Sequence, residues 1–161
     1  MTPSPALRER LRFLARVVSR ECRHLETTDR RVFDRPFTVE HVHALEDNIA
    51  EAERVEAFVS RFGRLQDSLG DKLLPRYLEA LGEPVGAVLD NLDRGERLGL
   101  IPSADHWFAI RRLRNQMVYE YIEDPAVLCN ALQNGHEFVS TLLQTAAVFE
   151  AALTKRGWLD E

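Results

Sequence analysis

The sequence has few of the residues and patterns that would place it in a disulfide, metal-binding or membrane class. It contains only two cysteines, Cys22 and Cys129, far apart and without the clustered spacing of a zinc site or a disulfide scaffold. Among the histidines, His24, His41 and His43 have no paired acid or cysteine nearby that would indicate a metal site. We therefore expect reduced thiols, no metal and no cofactor.

Long apolar runs are absent as well. No stretch approaches the roughly 20 apolar residues that a membrane-spanning helix needs, and residues 1–5 lack the apolar run of a signal peptide. These absences predict a cytoplasmic protein that makes no contact with a membrane.

An excess of positive charge is also lacking, because the formal net charge is -5. Proteins that coat phosphates usually carry a basic excess, so general nucleic-acid binding is disfavoured. The charge is nevertheless uneven, since residues 1–40 hold nine arginines against six acidic residues. We interpret this arginine-rich part as a solvated helix face in preference to an RNA-binding arm, and assign it no site.

Apolar residues make up 45 % of the 161 residues and recur at helical spacing. This content is enough for one core and predicts one domain over residues 1–161. A first helix is predicted over about Pro5 to Leu25, followed by a loop from Glu26 to Pro36. Thr38 is a plausible N-cap for a second, long helix that continues to about Leu81 and bends near Pro75.

Helix signals continue to the end of the chain. A shorter helix after Gly86 is predicted to end near Leu98, and Ser103 is predicted to cap the next helix, with Asp105 in its first turn. Asp124 and Pro125 open a last helix that reaches about Arg156. With no convincing strand, the pattern predicts an all-α fold, an antiparallel up-and-down helical bundle of about five helices.

The helix from Ser103 to Glu123 carries the unusual feature. At about 100° per residue, its apolar side chains fall within an arc of roughly 140°. They are Trp107, Ile110, Leu113, Met117, Val118 and Tyr121. Arg114 lies inside that arc, where a permanent charge is unfavourable unless it is paired or receives an anion.

Two interpretations of Arg114 stay open. It forms a buried salt bridge with a carboxylate of the long helix, such as Asp67 or Asp71, or it belongs to a phosphate-binding edge. Arg111, Asn115 and Tyr119 follow Arg114 around one side of the helix and give that edge a continuous polar and cationic character. Arg111 and Arg114 are therefore the candidate anion-binding residues.

The segment Arg114-Asn115-Gln116-Met117-Val118-Tyr119-Glu120-Tyr121 resembles the signature of the HEPN superfamily, and in particular the HepT-like nucleotidyltransferase substrate-binding proteins. That signature is an arginine, a polar residue, then a histidine that is often followed two positions later by a tyrosine. The segments 58–67 and 121–125 fit too, and the resemblance covers roughly residues 53–151. It implies a helical bundle that dimerises with its motif helices facing one another.

Many such domains are metal-independent ribonucleases, for which the resemblance implies Arg114, Asn115 and Tyr119 as the catalytic positions. Tyr119 stands where these enzymes carry histidine. A phenol with a pKa near 10 is a poor general base at neutral pH, so we expect ribonuclease activity to be missing.

The resemblance implies instead a component of a two-component toxin–antitoxin system that acts with a minimal nucleotidyltransferase. In such pairs the transferase can modify the motif tyrosine, here Tyr121, and RNA is a further partner. A homodimer is expected also because Trp107 and Val118 extend beyond the arc that one neighbouring helix covers. The alternatives are a metal-independent ribonuclease toxin and a purely structural helical dimer.

Overall fold

The computed structural model describes residues 2–119 and 124–160, with the side chains of all of these except residues 118 and 119. The fold is all-α, as predicted, and the described residues contain no strand. The helices are α1 (Pro5–Val32), α2 (Val39–Ala44), α3 (Ile49–Asp67), α4 (Leu74–Leu81), α5 (Val88–Arg97), α6 (Ala104–Tyr119) and α7 (Pro125–Lys155). A π-helical segment, Ser68–Leu73, joins α3 to α4 without a break, and we call residues 49–81 together the spine.

The first helix is longer than predicted. It begins after Ser4, whose hydroxyl accepts a hydrogen bond from the Leu7 amide at 3.2 Å. The predicted end near Leu25 and the predicted loop from Glu26 are wrong, because α1 continues to Val32. Leu25, Thr28 and Val32 are all buried and keep the helical period through a stretch that is otherwise polar.

The second predicted helix is divided in two. Thr38 does act as an N-cap and accepts a hydrogen bond from the His41 amide at 3.2 Å, but α2 ends at Ala44. The side chain of Asn48 then caps α3 by accepting from the Glu51 amide at 3.1 Å. Directly before Pro75, which has no N–H to donate, the spine departs from α geometry into its π-helical segment.

The predicted end near Leu98 and the predicted starts of the last two long helices are confirmed, and the predicted end at Glu123 lies outside the described residues. The Ser103 hydroxyl accepts from the His106 amide at 3.2 Å at the start of α6, and Asp105 lies in its first turn. Asp124 accepts from the Ala126 amide at 3.0 Å, with Pro125 as the first residue of α7. Counting the spine as one helix, the described residues form six helices, one more than predicted because α2 is separate.

The four long helices run antiparallel to their neighbours. On α1 and α7, Arg8 donates to the Gly157 carbonyl at 2.6 Å while Asp29 contacts His136, so rising numbers on one helix meet falling numbers on the other. The same reversal relates α6 to the spine and to α7. The predicted antiparallel up-and-down bundle is therefore present, with α1 and α6 each packed between the spine and α7.

The approach of α6 to the bundle is closest at glycines. The Arg114 stem crosses Gly63, where an added Cβ would lie 2.8 Å from the Arg114 Nε. Seven residues along the spine, the buried indole of Trp107 lies on Gly70, where an added Cβ would overlap its nitrogen. Two residues seven apart on α6 thus meet two glycines seven apart on the spine, which sets the register of the two helices.

None of the helices in the described ranges combines the length and the apolarity that crossing a membrane requires.

Gly70→Ala should lower the free energy of unfolding by about 1–3 kcal/mol, because the new methyl group has no space beside the Trp107 indole. Urea titration measures this loss. Gly86→Ala is the matched control, because a Cβ there meets its nearest atom, on Asp90, at an ordinary 3.4 Å. Equal stability of the two variants would show that α6 does not depend on the Gly70 contact.

Candidate functional site

The core face of α6 is largely as predicted. Trp107, Ile110, Leu113 and Met117 are buried. The side chain of Val118 and the whole of Tyr121 lie outside the described residues. Since Trp107 is buried within the chain itself, it does not offer apolar surface to a second copy, and the part of the homodimer expectation that rests on Trp107 is wrong.

Arg114 is paired, but it is not buried. Its stem crosses Gly63 and its guanidinium meets both oxygens of Asp67, with Nη2–Oδ2 at 3.1 Å and Nη1–Oδ1 at 3.2 Å. The side chain remains 39 % exposed. The predicted salt bridge with Asp67 is therefore present, but its predicted burial is wrong, because part of the Arg114 side chain faces solvent.

Arg111 makes a parallel contact one turn earlier on α6. Its Nη1 donates to Asp71 Oδ1 at 2.7 Å, and both side chains are 31 % exposed. The acceptors Asp67 and Asp71 are four residues apart on the spine, and the donors are three apart on α6, so the two pairs form a ladder across one helix interface. Asn115 lies exposed beside this ladder.

The carboxylates of this interface are crowded. Partial burial raises the pKa of Asp71 above its ordinary value, and the nearby Asp67 adds to the rise, whereas Arg111 and Arg114 oppose it. Burial likewise raises the pKa of Glu21 on α1, again with a contribution from Asp67. One Glu21 oxygen is buried and has no hydrogen-bond partner among the described residues. The two arginines thus offset negative charge that the bundle has partly desolvated.

The motif is only partly described. Arg114 and Asn115 lie on one exposed edge of α6, Tyr119 is the last residue of that helix, and Tyr121 falls outside the described residues. Of the three positions that would make up a ribonuclease site, the structure describes the side chains of Arg114 and Asn115, and the side chain of Tyr119 lies outside the described residues.

Histidines lie elsewhere in the bundle. His136 contacts α1, where its Nδ1 lies 2.7 Å from Asp29 Oδ1 and its ring stacks on Phe33 with centroids 4.3 Å apart. Sequence reasoning missed this pair because it placed Asp29 in a loop. His41 contacts Glu51 at 3.1 Å. In residues 2–119 and 124–160, no group of three or more histidine, cysteine, aspartate and glutamate side chains is arranged to hold a metal ion.

Glu21→Gln should raise the free energy of unfolding at neutral pH. The folded chain keeps the Glu21 proton to a higher pH than the unfolded chain does, so stability falls as the pH rises between the ordinary and the raised pKa. The amide removes that loss, and its advantage should disappear below the ordinary glutamate pKa. Urea titrations across this pH range measure it.

The control for this test is Glu26→Gln on the same helix, where the carboxylate is exposed and paired with Arg30 at 3.4 Å. It should give no stability gain that depends on pH in this way. A Glu21→Gln variant less stable than the wild type at neutral pH would contradict the expected sign.

The arginine edge of α6 is thus anchored to the spine. The resemblance of the motif to HEPN domains rests only on the residues of the motif itself. Comparison of the chain with models of known protein families, with curated proteins and with solved structures gave no match.

Proposed function

We propose that this chain is a cytoplasmic HEPN-type subunit of a toxin–antitoxin pair, which binds a minimal nucleotidyltransferase and does not itself cleave RNA. The observation that carries the proposal is the edge of α6, where Arg111 and Arg114 are held side by side by Asp71 and Asp67 while both stay part exposed. Held arginines are suited to recognition because little side-chain freedom is lost when they bind an anionic group.

The guanidinium groups retain donors for a partner. Arg114 donates one hydrogen bond to Asp67 from Nη1, its Nη2 forms an ion pair with the other carboxylate oxygen, and the exposed Asn115 lies next along the chain. An anion approaching this edge would meet arginine charges that Asp67 and Asp71 partly compensate. The electrostatic field there favours reversible binding and is weaker than one that stabilises a transition state. The edge supports a binding role better than a catalytic one.

The lack of an imidazole beside Arg114 supports the same conclusion. The motif carries Tyr119 where HEPN ribonucleases carry histidine, and His136 is engaged with Asp29 and Phe33 on α1. His106 lies eight residues before Arg114 on α6, about 12 Å away along the helix axis. Without a group that exchanges protons near neutral pH, activation of a ribose hydroxyl loses its general base.

A homodimer is part of the proposal. Apolar side chains are exposed on and just before α5, at Val85, Val88 and Leu89, and on α6 at Phe108. Contiguous exposed apolar patches mark surfaces that bind a second protein chain, and Val85, Val88 and Leu89 lie within five residues of one another. This support replaces the argument from Trp107, which is buried within its own chain.

The test of the missing base is RNA cleavage in the presence of a chelator. The wild type should be inactive, and Tyr119→His should gain cleavage, because general acid–base assistance is worth roughly 10² to 10⁴ in rate. Adding Arg114→Ala to Tyr119→His should abolish the gain. Robust cleavage by the wild type would contradict the proposal and favour the ribonuclease alternative, with His136→Ala then reporting whether that imidazole takes part.

The proposal predicts that a neighbouring open reading frame encodes a nucleotidyltransferase, and the test of the partnership combines that enzyme with this chain and a nucleoside triphosphate. We expect a complex containing two copies of this chain by light scattering, and transfer of one nucleotide to Tyr121. In that transfer the phenol oxygen attacks the α-phosphate and pyrophosphate leaves. Mass spectrometry detects the adduct, and Tyr121→Phe should prevent it.

Tyr119→Phe is the matched control for Tyr121→Phe, because the sequence has only three tyrosines and the third, Tyr77, is buried. It should be modified like the wild type. The absence of a complex and of an adduct would argue for the purely structural dimer.

A further inference from the structure

A second cationic surface lies on α1, away from the α6 edge. An open groove of about 790 Å³ runs along α1 where the end of α7 packs on it, and four of its lining side chains are arginines: Arg12, Arg16, Arg20 and Arg23. They recur at intervals of three or four residues, so they form one stripe about 16 Å long on successive helical turns. Glu9 and Glu150 also line the groove.

The charges along this stripe are compensated only at one end. Arg12 is engaged by Glu9 at 2.7 Å and donates to the Asp160 carbonyl at 2.6 Å. Arg16 approaches Glu9 at 3.7 Å, with both side chains 60 % exposed. Arg20 and Arg23 are exposed and make no ion pair with any described residue. This differs from α6, where Arg111 and Arg114 both have carboxylate partners.

An exposed aromatic ring lies beside the stripe. Phe13 is 44 % exposed, and the Arg10 guanidinium carbon lies 5.3 Å from its ring centroid. On the α1 wheel Phe13 and Arg20 point within about 20° of each other, roughly 10.5 Å apart along the helix axis. A row of cations with an adjacent open aromatic face is the combination that holds unpaired nucleic-acid strands, in which phosphates meet cations and a base stacks on the ring.

In place of the solvated helix face without a site that the sequence alone favoured, we propose that this surface of α1 binds single-stranded nucleic acid, with Arg16, Arg20 and Arg23 contacting successive phosphates and Phe13 stacking against a base. The repeat of about 6 Å between arginines four residues apart is of the order of the separation of neighbouring phosphates in an extended strand. A membrane surface fits less well, because the single exposed ring lies in a strongly charged face. The surface shares no residue with the α6 edge, so it stands independently of the proposed nucleotidyltransferase partnership.

The experiment is fluorescence anisotropy with a short labelled oligouridylate across a range of salt concentrations. Arg20→Gln/Arg23→Gln should weaken binding and reduce the slope of log affinity against log salt by about 1.4, because each single-strand phosphate contact contributes about 0.7. Phe13→Ala should weaken binding roughly 5- to 150-fold without changing the slope, and Phe13→Trp should restore it.

The matched control is Arg94→Gln/Arg97→Gln on α5, which removes the same charge at the same spacing and should leave binding and slope unchanged. All the altered α1 side chains are exposed, so thermal unfolding should show wild-type stability.

Four results would overturn the proposal. The first is no binding by the wild type, and the second is an equal loss in the α5 control. The third is a loss in Arg111→Gln/Arg114→Gln with normal binding by the α1 variants. The fourth is sensitivity to the α1 variants only in binding to phosphatidylglycerol vesicles.

Discussion

The packing of α6 against two glycines of the spine is the constraint on which the rest of the site depends. Gly63 and Gly70 let the Arg114 stem and the Trp107 indole approach the spine more closely than any side chain there would allow. Because both pairs are seven residues apart, a shift of α6 along the spine would break both contacts together. The ion pairs of Arg111 and Arg114 follow from this register, since it brings their guanidinium groups opposite Asp71 and Asp67.

The close packing of α6 on the spine also buries polar groups. The Trp107 indole nitrogen is buried and has no hydrogen-bond acceptor among the described residues, which costs free energy that the surrounding contacts must offset. Burial raises the pKa of Asp71 at this interface and of Glu21 on α1, and the charge of Asp67 adds to both shifts. The arginines of α6 thus have a stabilising role in addition to any role in recognition.

The distribution of compensated and uncompensated charge separates the two cationic surfaces. On α6, Arg111 and Arg114 each have a carboxylate partner on the spine, so the charge of this edge is largely compensated. On α1 the arginines far from Glu9 face an open groove without such a partner among the described residues. The overall charge of -5 conceals this local excess, because it averages over the acidic remainder of the chain. A negative net charge therefore does not exclude a local surface that binds anions.

Local signals in the sequence determined much of the fold. The caps at Thr38, Ser103 and Asp124 are formed by neighbouring side chains and amides, and the apolar period of α6 correctly marks Trp107, Ile110, Leu113 and Met117 as core. The same period placed Arg114 on the core face, with Asp67 or Asp71 as an example of a partner. Asp67 is its partner, whereas Asp71 pairs with Arg111.

Other features were decided only in the folded chain. The continuation of α1 to Val32 depends on packing, because the local composition there is polar and favours a loop. The pairing of His136 with Asp29 joins residues 107 positions apart. The exposure of Arg114 depends on the glycine beneath its stem. Caps and periodicity act between residues within about one helical turn and can be predicted from order in the sequence, whereas burial, ion-pair geometry and open charge depend on which helices meet, and that is set by tertiary packing.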